Sequence, residues 1–208
     1  MQTTFSRSIA AMLGRGAIAS TALGGISTPT LFGVDIESDE LLVLDRGNAS
    51  VSAIGPTGFG GLTALAFDPL STTLFGVDRD TDQLVSIDPH TGAGTAIGLT
   101  GLASVQGLAS RPSDGVLFAT DTDTDTLVNL DPLTGLATPI GPLGTPGITG
   151  LTFDTTGNTL FAVSTITNEL VTIDPSNGAT TVVGVTLRNV TALAFDTVND
   201  ILYGTGSV

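Results

Sequence analysis

The feature that most constrains this chain is a repeat of about 43 residues. The string LFGVD begins at Leu31 and returns at Leu74, as LFATD at Leu117, LFAVS at Leu160 and LYGTG at Leu202, in steps of 43, 43, 43 and 42. A second motif starts at Leu41 (LLVLD), Leu84 (LVSID), Leu127 (LVNLD) and Leu170 (LVTID). A third ends at Ile54-Gly55, Ile97-Gly98, Ile140-Gly141 and Val183-Gly184. A fourth is TALAFD from Thr63, QGLAS from Gln106, TGLTFD from Thr149 and TALAFD from Thr191. Each period thus holds four apolar runs too short for helices and rich in β-formers, divided by turn residues. Four short strands at this period are the pattern of an all-β propeller blade. In chain order within a blade they are strand a (TALAFD), b (LFGVD), c (LVSID) and d (TAIG).

The turns agree. Strands c and d are joined by Asp88-Pro-His-Thr-Gly92, Asp131-Pro-Leu-Thr-Gly135 and Asp174-Pro-Ser-Asn-Gly178. Asp accepts from a backbone N–H two residues on, Pro presets φ, and Gly supplies the positive φ that closes the turn. The a–b links, from Asp68-Pro69, Asp154 to Gly157 and Asp196 to Asp200, repeat this more loosely. In strand a, Leu65, Leu108, Leu151 and Leu193 alternate with small residues, which suits strands converging on a central axis.

Residues 62–98, 105–141 and 148–184 make three complete blades, and another has clear b, c and d strands between Leu31 and Gly55. Its strand a is expected near Thr21-Ala22-Leu23. At the ends, 190–196 and 201–206 read as strands a and b, while 8–14 read as strand d and 1–5 as a worn strand c. The expectation is one domain, 1–208, with five blades, one of them split between the termini and closed by residues 1–18. Closure removes open edges, so deleting 1–18 should destabilise or polymerise the chain. A four-bladed ring, or a piece of a larger propeller, is the alternative. Residues 1–20 also match a secretory signal loosely, with Ala17-x-Ala19 before Ser20, although Arg15 interrupts the apolar run.

Composition narrows the partners. Six Arg and no Lys stand against 20 Asp and Glu, a formal charge of -14. Such a surface repels phosphates and anionic membranes, so neither nucleic acid nor membrane insertion is expected. Mean hydropathy is +0.40, yet no stretch holds 18 uninterrupted apolar residues. Cysteine is absent, which removes disulfides and thiolate chemistry.

With LFGVD, LVSIDP, AIG and GLAFDP in register, the chain resembles the short-repeat propellers of secreted or surface bacterial proteins, in the style of the YVTN, NHL and lactonase-like superfamily. The resemblance covers the chain from about residue 20. It implies a propeller fold and an extracellular or periplasmic setting. Lactonase-like members place acidic and polar residues around a central cation. The innermost strands here offer Ala, Gly and Thr, so that activity does not carry over.

Chemistry has few footholds. His90, the only histidine, sits at a turn position filled by Leu133 and Ser176 in sister repeats, so nothing there demands a general base. The b–c tips are richer: DIESDEL from Asp35, DRDTDQL from Asp78, DTDTDTL from Asp121 and STITNEL from Ser164. They share a rim with the glycine-rich d–a crossovers GPTGFGG from Gly55 and GPLGTPG from Gly141. Rim loops on a rigid scaffold are where ligand contacts concentrate, making Asp39, Phe59, Asp80, Asp82, Asp123 and Asp125 the binding candidates. Asp121, Asp123 and Asp125 could supply hard oxygens to Ca²⁺, although an EF-hand would need Gly and Glu where Thr126 and Pro132 stand. The reading is a non-enzymatic binding module for an unspecified protein, glycan or small molecule. It expects no cofactor, with Ca²⁺ as the exception to test, and a monomer if the ring closes. The alternatives are a cation-dependent hydrolase or lactonase-like enzyme using rim carboxylates, and a structural repeat of a larger surface protein.

Overall fold

The computed structural model describes residues 18–21, 30–45, 48, 50–154, 156, 158–186 and 189–206. All regular elements among them are strands. The first sheet joins β1 (Ile18–Thr21), β2 (Thr30–Asp35), β3 (Glu40–Leu44) and β4 (Val51–Pro56). The second joins β5 (Leu62–Asp68), β6 (Thr73–Asp78), β7 (Gln83–Ile87) and β8 (Gly94–Leu99). The third joins β9 (Val105–Ser110), β10 (Leu117–Asp121), β11 (Thr126–Leu130) and β12 (Ala137–Pro142). The fourth joins β13 (Ile148–Phe153), β14 (Leu160–Ser164), β15 (Glu169–Ile173) and β16 (Thr180–Val185). A two-stranded sheet holds β17 (Val190–Asp196) and β18 (Ile201–Gly206). Every pairing is antiparallel between sequential strands, which makes each sheet a meander.

The innermost strands follow one another around a ring. β1 lies beside β5, β5 beside β9, β9 beside β13, β13 beside β17, and β17 beside β1 again. The architecture is therefore a propeller of four whole blades, with β17 and β18 on the inner side of a fifth sector. The strands expected to complete that sector, 1–5 and 8–14, lie outside the described residues, as does the signal-like stretch up to Ala17. Ile18, counted above with the closing segment, instead begins β1.

One register differs from the sequence reading. Ile18 pairs with Gly33, where the sister pairs are Leu65 with Gly76, Leu108 with Ala119 and Leu151 with Ala162. Among the described residues the first inner strand is therefore Ile18–Thr21, placed so that Ile18 and not Leu23 faces Gly33; Ala22 and Leu23 lie outside the described residues. The reason is chemical: Gly24-Gly25 and Pro29 follow, and both residue types weaken a strand interior.

The core lies between blades, not within them. On β6, Leu74 packs in a cluster with Phe32, Val34 and Leu41 of the first blade. Its neighbours Phe75 and Val77, on the other face, pack with Val105, Leu108 and Leu117 of the third. Both faces are buried, so the strands read as near-continuous apolar runs instead of alternating ones. This accounts for the high hydropathy: among the described residues no helix is long and apolar enough to cross a membrane. Each fully buried Leu stabilises by about 1.5–3 kcal/mol relative to exposure. Aromatic pairs bridge two junctions, Phe118 edge-on to Phe153 at 5.4 Å and Phe161 stacked on Phe195 at 6.2 Å.

Backbone contacts set the spacing of the outer strands. A Cβ on Gly55 would lie 2.4 Å from the Thr91 carbonyl oxygen, and one on Gly98 2.2 Å from that of Thr134. One on Gly141 would lie 2.1 Å from the Asn177 carbonyl oxygen. The repeated Ile-Gly motif thus seats the outer strands β4, β8 and β12 under the c–d turn of the next blade, glycine against backbone.

Candidate functional site

The rim that carries the b–c tips is built from two residues with fixed jobs. The first is the last residue of strand b. Asp78 is buried, accepts from the Gly61 N–H at 2.9 Å and is bonded by the Thr81 hydroxyl. Asp121 is buried, accepting from the Asp123 N–H at 3.2 Å and the Thr124 hydroxyl at 2.6 Å. Ser164 does the same with the Ile166 and Thr167 N–H groups. Asp35 accepts from Glu37 N–H at 2.9 Å. These side chains satisfy turn donors that would otherwise go unpaired, the ordinary work of Asx and Ser turns.

The second job falls to the fourth tip residue. Asp39, Asp82, Asp125 and Asn168 have φ of 58, 55, 47 and 55°, in the left-handed region. Asp and Asn enter that region more readily than other non-glycine residues. Their carbonyls then face the d–a crossover. Thr57 donates to Asp39 O at 2.7 Å through its N–H and at 3.0 Å through its hydroxyl. Thr100 does likewise to Asp82 O, and Thr186 to Asn168 O. At the third tip, Leu143 donates its N–H to Asp125 O at 2.7 Å.

The candidates therefore separate. Asp121, Asp123 and Asp125 do not converge: Asp121 points inward as a turn cap, Asp123 is exposed, and Asp125 Oδ1 accepts from the Gly147 N–H at 3.0 Å. Among the described residues no cluster of three or more His, Asp or Glu is arranged to hold a metal ion. Phe59 is half-buried against the core between the first two blades, its ring over Gly94, where a Cβ would lie 2.7 Å away. Asp82 is half-buried on its own tip.

Asp39 and Asp80 are brought together. They come from neighbouring blades, and the crossover Gly60-Gly61 threads between them. A Cβ on Gly60 would lie 3.5 Å from Asp39 Oδ1 and 3.8 Å from Asp80 Oδ2. A Cβ on Gly61 would lie 2.7 Å from Asp78 Oδ1, so only glycine leaves that carboxylate its bond to the Gly61 amide. The result is an anionic notch of two carboxylates on bare backbone, with the exposed Gly60 between them. Its chemistry is attraction of a cation or a polar N–H donor.

The axis offers a second concavity, which the sequence pattern did not single out. The polar residues Thr63, Gln106, Thr149 and Thr191 open the inner strands on this same rim, above Leu65, Leu108, Leu151 and Leu193. The Thr149 hydroxyl is buried without a protein hydrogen-bond partner. The free space there holds on the order of one water molecule, too little for a substrate. The signal lies in the polar first position of each strand-a motif, Thr63, Gln106, Thr149 and Thr191, two residues before its Leu. The opposite rim holds the Asp-Pro turns. His90 is exposed there, 3.4 Å from Asp88, with no second catalytic group beside it among the described residues.

No family model matches the chain, and no curated protein matches it. Solved structures do. The chain is similar to one in a nidogen–laminin complex, with TM-score 0.66 and 19% identity over 86% of this chain and 67% of that one. It is similar to virginiamycin B lyase from Staphylococcus aureus, with TM-score 0.58 and 12% identity over 92% and 63%. An auxiliary nutrient binding protein from Bacteroides ovatus gives TM-score 0.57 and 17% identity over 74% and 38%. This chain thus spans about two thirds or less of these chains. At such identities the likeness carries the propeller fold.

Proposed function

We propose that this chain is a non-enzymatic binding module that presents its acidic b–c rim to a cationic or hydrogen-bond-donating ligand. The observation that carries the reading is the notch at the first junction, where Asp39 and Asp80 flank an open glycine backbone. A net charge of -14 would steer a basic partner towards it. Solved neighbours include a nutrient-binding protein and a chain from a nidogen–laminin complex, which supports binding, and an extracellular or periplasmic setting, as the working expectation. The test is a panel of basic peptides and glycans read by interferometry on the native chain and an Asp39→Asn/Asp80→Asn variant. Binding that weakens at least about tenfold in the variant, with unchanged melting, supports the reading. Turnover of a lactone or ester that disappears in Asp80→Asn or Asp123→Asn would overturn it in favour of a rim hydrolase.

A further inference from the structure

We propose that Asn177-Gly178, in the c–d turn of the fourth blade, is a gated modification site. The folded turn holds back its deamidation, and the product no longer seats the junction between the third and fourth blades. This is the one Asn-Gly step in the sequence; the sister turns carry Thr91-Gly92 and Thr134-Gly135. In the reaction the Gly178 amide nitrogen loses its proton and attacks Asn177 Cγ. The new N–C bond forms, the Cγ–Nδ2 bond breaks, and ammonia leaves. Water then opens the succinimide at either carbonyl, giving aspartate or isoaspartate. A following glycine favours the attack, because no side chain crowds its nitrogen and its backbone turns freely.

The folded turn occupies each group the reaction needs. The N–H of the buried Gly178 donates to Asp174 O at 2.8 Å. The Asn177 side-chain amide is held at both ends. Its Oδ1 accepts from the Ala179 N–H at 2.8 Å, and its Nδ2 donates to Asp174 Oδ2 at 3.0 Å. Nucleophile and electrophile are thus fixed apart until the turn opens. Thr91 and Thr134 take the matching N–H groups at 3.3 and 3.4 Å, and a hydroxyl offers no carbonyl to attack. The asparagine makes the shorter bond and brings the reactive carbon with it.

Both products strike the seat between blades. The Asn177 main-chain carbonyl lies against Gly141, and Gly178 lies against the Gly141 and Pro142 carbonyls. In isoaspartate the main chain runs through Cγ and gains one carbon. The former main-chain carbonyl becomes a free carboxylate where Gly141 packs. Aspartate keeps the main chain but replaces the donor at Asp174 Oδ2 with a second negative oxygen, and the two repel.

The test follows conversion of the Asn177 amide to acid by peptide mass spectrometry. The full chain is held at mildly alkaline pH, either folded or unfolded in guanidinium chloride. Conversion at least about tenfold slower in the folded chain is expected, and a smaller ratio overturns the gate. The chain aged while unfolded is then returned to native buffer. Its converted fraction should stay unfolded or melt at least about 3 °C below the unconverted fraction. Asn177→Thr, which carries the sister residue, should melt after the same ageing as it did before. A converted chain that melts unchanged overturns the assignment, and so does an Asn177→Thr chain that loses as much on ageing.

Discussion

At the scale of single residues, the rim shows how one sequence position can look functional and be conformational. The trio Asp121, Asp123 and Asp125 reads as a cation loop. In the structure the first caps a turn and the third holds a left-handed φ of 47°. Asn168 fills the third role equally well with φ 55°, so the carboxylate is not what the position needs. Asp82→Gly should therefore leave stability unchanged or slightly raised, and Asp82→Val should lower it by about 1–2 kcal/mol in urea unfolding. Titrating Ca²⁺ to millimolar levels should leave the melting temperature flat, because Asp121, Asp123 and Asp125 do not converge and no three acidic or His ligands do so among the described residues. The Asp-Pro turns make a pH prediction. The His90 N–H lowers the Asp88 pKa, the Leu133 N–H lowers that of Asp131, and the Ser176 hydroxyl and N–H lower that of Asp174. Each folded value lies below the unfolded one, so each contributes stability above about pH 4 that is lost as pH falls through the lowered folded value. Melting temperature followed from pH 6 to pH 2 should fall on the acid side, and less so when all three are Asn. Turn capping was legible because Asp-Pro-x-x-Gly has one local explanation. The left-handed tips were not, because an acidic run hides which member carries the strained backbone.

At the scale of elements, the Ile-Gly motif was visible as a repeat, but its purpose was not. At Gly55, Gly98 and Gly141 it meets backbone 36 residues on, at Thr91, Thr134 and Asn177, and no local pattern encodes that approach. Gly98→Ala should cost about 1–3 kcal/mol in chemical denaturation, since a methyl group would sit 2.2 Å from the Thr134 carbonyl oxygen and backbone cannot rotate aside. A loss within about 0.5 kcal/mol would show that the outer strand can slide away from the turn. The first inner strand taught the opposite lesson. Matching Thr21-Ala22-Leu23 to TALAFD followed composition, while Gly24-Gly25 and Pro29 favoured a ladder on Ile18–Thr21. The repeat located the strand to within a few residues, and breaker residues decided its register.

At the scale of the whole molecule, the 43-residue period and its four strands were enough to read the propeller, because each blade repeats one burial pattern. The notch was half legible: the carboxylates and glycines stood out, but their meeting across two blades depends on the ring's curvature. A ring of charge -14 works against itself. Raising NaCl from about 10 mM to 1 M should raise the melting temperature, as the screening length falls from about 30 to 3 Å. A fall would point to specific ion pairs, of which Arg111–Asp114, at 2.6 Å, is one. The glycine seats between blades carry a last consequence. Where neighbouring repeats meet through main-chain atoms, the contact contains no side-chain code, and one repeat's outer edge fits another's turn as well as its own neighbour's. The blades are in that sense interchangeable cassettes. At the junctions built this way, on Gly55, Gly98 and Gly141, whole-repeat duplication would preserve the glycine seat, leaving the side-chain packing and curvature of the inner ring to limit how many repeats it holds.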